Sequence, residues 1–144
     1  MKRLTRAIRS ICVNEVEIRV SRELVTVSWD GQSRSVRPVV HLGTGPGRAR
    51  IVGIGDTFGS LEPSVALPVF GPLPAGVSLA TWAEVVTQFM DYTIKQARRS
   101  MVVVRPTVHL RGVRSLGPLP GGNPEQVLTN AVLRAHAFHC MVED

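Results

Sequence analysis

The stretch from Leu24 to Leu42, LVTVSWDGQSRSVRPVVHL, decides the fold class. Apolar residues alternate with polar ones in its first part, at Val25, Val27 and Trp29. This period of two is typical of a strand with one buried face. The Asp30-Gly31 pair that follows is a strong signal for a tight hairpin turn. The sequence therefore predicts a β-hairpin whose returning strand runs from Ser35 to Leu42.

Two further turns extend this hairpin in both directions. Upstream, VEIRVSREL (Val16–Leu24) predicts two short strands that meet at a turn near Ser21. Downstream, GTGPG (Gly43–Gly47) predicts a turn into a third strand at residues 49–54. The sequence favours this turn over a phosphate-binding loop, which needs a Lys and a Ser or Thr that open a helix. From Leu24 onward we expect a three-stranded antiparallel meander, with Pro38 marking an edge or a bulge.

Helices and strands alternate in the second half of the chain. Ser78 and Thr81 offer capping groups for a helix with one apolar stripe, and Asn123-Pro124 opens a second helix. Strands are expected from Thr107, buried on both faces, and at residues 139–142. Because helices separate these strands, they should pair in parallel with the sheet.

The segment Gly55–Gly76 connects the two halves and has no sustained period. Structureless loops rarely exceed about 15 residues, so this segment either contains a short strand or turn or forms a binding loop.

Length and composition indicate a single folded domain, which the alternating helices and strands make an α/β domain. A chain of 144 residues is long enough to bury a core, and its content of 44% hydrophobic and 19% charged residues is that of a folded protein. We assign residues 1–14 to a basic N-terminal segment and residues 15–144 to the single domain. The sequence has no apolar run of about 20 residues and no secretory signal, and it has two cysteines, so a cytoplasmic location is expected.

The net charge of +6 invites an anionic partner, although the basic residues are spread along the chain. The N-terminal segment carries apolar residues at helical spacing, and its basic residues are Lys2, Arg3, Arg6 and Arg9. These four could contact nucleic acid or an anionic membrane surface. The alternative is a terminal arm that is disordered or packs on its own domain.

Catalytic and metal-binding patterns are weak. His136, His139 and Cys140 have the spacing of metal ligands on a helix, but no fourth ligand completes a zinc site. A two-metal nuclease needs converging carboxylates. Among the acids, only Glu17 and the terminal Glu143-Asp144 pair are expected to approach each other. We therefore predict no catalytic residue, no metal and no cofactor.

Several segments, in order, resemble the first half of the bacterial actins of the rod shape-determining MreB family. Residues 24–42 are similar to that family's LVYV strand, glycine turn and EPSVVAI-type strand. IVGIGD (Ile51–Asp56) is similar to its VLAVGD, and RPTVHLRGVRS (Arg105–Ser115) to its RPRVVIGVPS. Residues 139–144 resemble the strand that ends in IEE. The resemblance implies an actin-like, ribonuclease-H-like domain in which the meander is followed by helix, strand, helix and strand.

The resemblance also locates a degenerate phosphate loop. The family's first strand ends in a DLGT loop whose glycine lets backbone N–H groups approach ATP phosphates. Glu17, Ile18, Arg19 and Val20 fall on that loop, and Arg19 replaces the glycine. The resemblance therefore implies a non-catalytic scaffold or interaction module, with a protein partner and a link to cytoskeletal or cell-shape assembly. An exposed sheet edge or hydrophobic loop should also favour self-association, so a homo-oligomer is expected. The alternative function is a basic protein that binds nucleic acid or a membrane surface.

Overall fold

The computed structural model describes residues 15–45, 50–59, 62–98, 106–135, 137 and 139–143, and these contain nine strands, two α-helices and one short 3-10 helix. The strands are β1 (Glu15–Val20), β2 (Val25–Trp29), β3 (Gln32–Val36), β4 (Val39–Gly43), β5 (Ile51–Ile54), β6 (Thr57–Phe58), β7 (Ser64–Pro68), β8 (Thr107–Arg111) and β9 (His139–Glu143). The helices are α1 (Leu79–Arg98) and α2 (Pro124–Arg134), and the 3-10 helix is Val113–Leu116. The N-terminal segment lies outside the described residues.

The larger sheet has five strands in the order β3-β2-β1-β8-β9. Strands β1, β2 and β3 pair antiparallel, whereas β8 pairs in parallel with β1 and β9 in parallel with β8. Strict alternation gives this sheet an apolar face, on which Ile18, Val27 and Leu110 are fully buried. The opposite face, here called the polar face, carries Ser, Thr, Glu, Arg and His side chains.

The predicted meander differs from the structure. The strand expected at residues 35–42 breaks at Arg37-Pro38, and its two parts, β3 and β4, lie in different sheets. Proline has no N–H for a ladder hydrogen bond. The Val39 amide instead donates to the Arg37 carbonyl at 2.8 Å, and the chain turns out of the first sheet. The predicted third strand, β5, therefore pairs with β4 in a second sheet.

The second sheet has the order β6-β5-β4-β7, and all its pairs are antiparallel. Two of its strands, β6 and β7, lie in the long segment 55–76 that showed no sustained period. Strand β7 is exposed at four of its five residues, and Leu67 is its buried position. Such a short edge strand gives no clear alternation in the sequence.

Both helices pack on the apolar face of the larger sheet. The predicted caps are present, since Ser78 Oγ accepts from the Thr81 amide at 3.1 Å and Asn123 Oδ1 from the Glu125 amide at 2.9 Å. On α1, Trp82 is buried, and its indole N–H donates to the Val69 carbonyl at 3.1 Å. This contact ties the helix to the segment that follows the second sheet.

Strand β8 begins at Thr107 as predicted, but it is not buried on both faces. Val108 and Leu110 are buried, whereas Thr107, His109 and Arg111 are half-exposed on the polar face. The apolar run at residues 101–104, which precedes this strand in the sequence, lies outside the described part of the chain. Among the described residues, neither helix is long and apolar enough to cross a lipid bilayer.

Candidate functional site

The candidate site is the edge of the larger sheet where the parallel strands end. Arg19 on β1 pairs in register with Arg111 on β8, and Arg111 pairs with Glu143 on β9. In open α/β sheets, ligands bind outside the carboxyl ends of the strands. The β1–β2 turn, from Ser21 to Leu24, stands at this edge.

This turn is closed by its own hydrogen bonds. The Ser21 amide donates to the Leu24 carbonyl at 3.0 Å, and the Leu24 amide donates to Ser21 Oγ at 3.1 Å. The turn contains no glycine. Two backbone N–H groups, of the type that cradles a phosphate in glycine-rich loops, are therefore already bonded within the turn.

The side chain of Arg22 ties the turn to a distant part of the chain. Its Nε and Nη2 atoms donate to the Leu116 carbonyl at 3.0 and 2.5 Å. Leu116 is the last residue of the 3-10 helix, so the guanidinium caps a carbonyl that the short helix leaves free. Arg22, at the tip of the turn, therefore makes an internal contact with the backbone of this chain.

Gly112 completes the carboxyl edge from the other side. It follows β8 with a φ of 78°, in the left-handed region that favours glycine. A Cβ atom at this position would lie 2.5 Å from the Val20 carbonyl oxygen. The absent side chain thus allows close contact between two backbone segments of this protein.

The four residues assigned to the degenerate phosphate loop lie within β1. Ile18 and Val20 point into the core and are buried. Glu17 and Arg19 lie on the polar face, where the Arg19 side chain is 70% exposed and its Nη2 is 3.7 Å from Glu17 Oε1. The residues that actually form the turn are the next four along the chain.

An ion-pair network crosses the polar face beside this edge. Arg111 lies at its centre, with Nε 2.5 Å from Glu17 Oε1 and Nη2 2.9 Å from Glu143 Oε2. His109 Nδ1 and Glu143 Oε1 are hydrogen-bonded at 2.7 Å, and His109 Nε2 is 3.7 Å from Glu15 Oε1. Each carboxylate of the network therefore has a basic neighbour.

The pKa of Glu143 is lowered from its ordinary value by this network. The hydrogen bond from His109 is the largest cause, and the positive charges of His109 and Arg111 add to it, while burial opposes the shift. The carboxylate is consequently held in its charged form. It stabilises the fold when ionised and loses that contribution when it is protonated.

Glu17 and Glu143 approach each other as expected, since both contact the guanidinium of Arg111. Asp144, the other acid of the terminal pair, lies outside the described residues. Three other described acids pair elsewhere: Asp56 with Arg37, Asp91 with Lys95, and Glu84 with Gln88. Among the described residues, no group of three His, Cys, Asp or Glu side chains could hold a metal ion.

The possible metal ligands near the C-terminus are separated as well. His139 and Cys140 are neighbours on β9, so their side chains point to opposite faces of the sheet. Burial raises the pKa of the Cys140 thiol, while a hydrogen bond with Thr129 works in the opposite direction. His136 lies outside the described residues, as do the possible anion contacts Lys2, Arg3, Arg6 and Arg9.

The sequence interpretation missed the contacts that shape this edge. The alternation of Thr107, His109 and Arg111 is a visible signal for a polar face on β8. The bond from Arg22 to Leu116 joins residues 94 positions apart, and no local pattern marks it. The same holds for the approach of Gly112 to Val20.

Comparisons with known proteins show a similarity of fold. No protein-family model and no curated protein sequence matches the chain. MreB5 of Spiroplasma citri bound to ADP is similar in structure, with a TM-score of 0.59 and 14% identity over 92% of this chain. MreB 5 of the same organism bound to AMPPNP gives a TM-score of 0.57 and 11% identity over 92%.

These matches cover 38% and 39% of the two MreB chains. The chain therefore has an actin-like fold and spans well under half the length of these neighbours. At such low identity the likeness concerns the fold alone.

Proposed function

We propose that this chain is a non-catalytic, actin-like module that acts through protein contacts in a cytoskeletal or cell-shape assembly. The observation that carries the proposal is the closed β1–β2 turn. Its amides at Ser21 and Leu24 are bonded internally, and Arg22 binds the Leu116 carbonyl. A phosphate group would have to displace these contacts before it could bind the Ser21 and Leu24 amides.

The charge arrangement on the polar face supports the same proposal. A phosphoryl-transfer site needs cations that are free to stabilise phosphate charge. Arg111 is instead bound by Glu17 and Glu143, and Arg19 lies beside Glu17. These guanidinium groups neutralise carboxylates of the chain itself.

A partner is part of the proposal. The two MreB neighbours were solved with ADP and AMPPNP in chains more than twice as long as the matching part. We propose that this chain uses the actin-like half for association, with a protein partner or with further copies of itself, in the cytoplasm. The nucleic-acid and membrane alternative gains no support from the described residues, because the segment that suggested it lies outside them.

Calorimetric titration of the full chain with Mg-ATP and Mg-ADP tests the proposal. We expect no saturable binding, which means a dissociation constant above about 1 mM, or less than about 4 kcal/mol of binding free energy. An actin-like ATPase in the same buffer is the positive control. Stoichiometric binding of either nucleotide would remove the non-catalytic assignment.

A further inference from the structure

Strand β3 forms an open edge of the larger sheet. It pairs with β2 on one side, and no strand among the described residues pairs with its other side. Gln32, Ser33, Arg34 and Ser35 are all exposed. An unpaired edge presents free N–H and C=O groups to which another extended chain can add.

The turn before β3 fixes which of its backbone groups face outward. Asp30 and Gly31 have φ values of 45° and 75°, as in a two-residue type I′ turn. The closing pair of such a hairpin, Trp29 and Gln32, is hydrogen-bonded, and bonded pairs then alternate along the ladder. The N–H and C=O groups of Ser33 and Ser35 therefore point away from β2, towards the open edge.

The edge carries one basic side chain, Arg34, at its centre. Arg34 forms no ion pair with any described residue, in contrast to Arg19, Arg37 and Arg111. If two β3 strands paired along their full length, Arg34 of each copy would lie opposite Arg34 of the other. Like charges directly opposite each other destabilise a strand pair, whereas an acidic residue there stabilises it.

We propose that the β3 edge binds an extended, acidic segment of a partner protein by adding it as a sixth strand. Ser33 and Ser35 supply the backbone hydrogen bonds, and Arg34 selects a carboxylate on the added strand. The net charge of +6 also favours an acidic partner over a basic one. This inference deepens the proposed interaction role, because it names the chemistry of the partner.

Fluorescence anisotropy with a short labelled peptide of alternating Thr and Glu tests the edge, and a Thr and Lys peptide is the control. We expect the full chain to bind the acidic peptide and not the basic one. Arg34→Gln should weaken binding about fivefold. Arg19→Gln removes the same charge from another exposed site of the sheet and should leave binding unchanged.

A second variant separates backbone recognition from charge. Ser33→Pro removes an outward N–H that is not used in the ladder with β2, so the fold should persist by circular dichroism while peptide binding falls more than about tenfold. Equal losses in Arg34→Gln and Arg19→Gln would indicate unspecific charge attraction and overturn the proposal. Unchanged binding in Ser33→Pro would overturn it as well.

Sedimentation distinguishes an acidic partner from a second copy. A dimer of the unmodified chain that Ser33→Pro dissociates would assign the edge to self-association and overturn the acidic-partner proposal. The nucleotide titration is independent of these measurements. Nucleotide binding would remove the non-catalytic assignment, whereas failure of the peptide to bind would remove only the proposal for the edge.

Discussion

The two turns at the ends of β2 both reverse the chain, but different interactions stabilise them. Both connect antiparallel strands through two residues, Arg22-Glu23 at one end and Asp30-Gly31 at the other. The second turn relies on local backbone conformation, with φ above zero at both residues. The first turn has no glycine and is held by Ser21 and by the bond from Arg22 to Leu116.

This difference concerns function because the first turn stands at the carboxyl edge, where a ligand would bind. A turn made for phosphate keeps its N–H groups accessible, and glycine allows the close approach. Here the Ser21 and Leu24 amides are bonded within the turn, and the close approach at this edge is between Gly112 and Val20. The contacts at the carboxyl edge therefore stabilise the fold of this chain.

The largest expected effect comes from Gly112→Ala. Gly112 and Gly31 have nearly equal φ values, 78° and 75°, but a Cβ at Gly112 meets the Val20 carbonyl at 2.5 Å and one at Gly31 meets nothing within 4 Å. We expect Gly112→Ala to lower the free energy of unfolding by about 3 kcal/mol, well beyond the cost of the backbone conformation alone. Urea denaturation measures this change in stability. Equal losses in Gly112→Ala and Gly31→Ala would contradict a stabilising close contact between Gly112 and Val20.

Arg22→Ala should have the next largest effect. It removes a charged donor and leaves the Leu116 carbonyl without this partner, which should cost about 1.5 kcal/mol. Arg37→Ala is the matched control, because its exposed ion pair with Asp56 should contribute less than about 0.5 kcal/mol. If the two variants unfold at the same urea concentration, the hydrogen bonds from Arg22 to the Leu116 carbonyl do not stabilise the turn.

At the other turn, Gly31→Ala should cost about 1 kcal/mol, because the substitution adds only the strain of a left-handed backbone. Gly31→Asn should cost less, since asparagine adopts this conformation more readily. Thermal denaturation of the two variants measures the difference. A larger cost for Gly31→Asn would mean that contacts, and not backbone conformation, hold this turn.

The smallest effect concerns acid. Because the pKa of Glu143 is lowered in the folded state, its contribution is complete above the unfolded-state pKa and is lost as the pH falls through the folded-state value. Unfolding midpoints measured from neutral pH into mild acid should therefore decrease less in Glu143→Gln than in the unmodified chain. Identical pH profiles would show that His109 and Arg111 do not stabilise this carboxylate.

Part of the fold follows from short-range sequence patterns and was predictable from them. The Asp30-Gly31 turn, the caps at Ser78 and Asn123, and the start of β8 at Thr107 each depend on a few neighbouring residues. The division into two sheets was not predictable in the same way. Pro38 signalled an edge or a bulge, but that β4 pairs with β5 and β7 depends on strands without clear alternation.

The candidate site was less predictable than the fold. The resemblance to the actin-like family placed the degenerate phosphate loop at residues 17–20, which lie within β1 and not in the turn. Two residues that contact this edge, Leu116 through Arg22 and Gly112 through Val20, lie about ninety positions further along the chain. Contacts of that kind follow from tertiary structure and leave no local pattern in the sequence.

The amide spectrum of the isotope-labelled chain during titration with Mg-ATP tests the closed turn most directly. We expect the amide signals of Ser21, Leu24 and Gly112 to stay in place as the nucleotide is added. Saturable shifts confined to these three signals would show that the carboxyl edge opens to phosphate, and would contradict a closed turn.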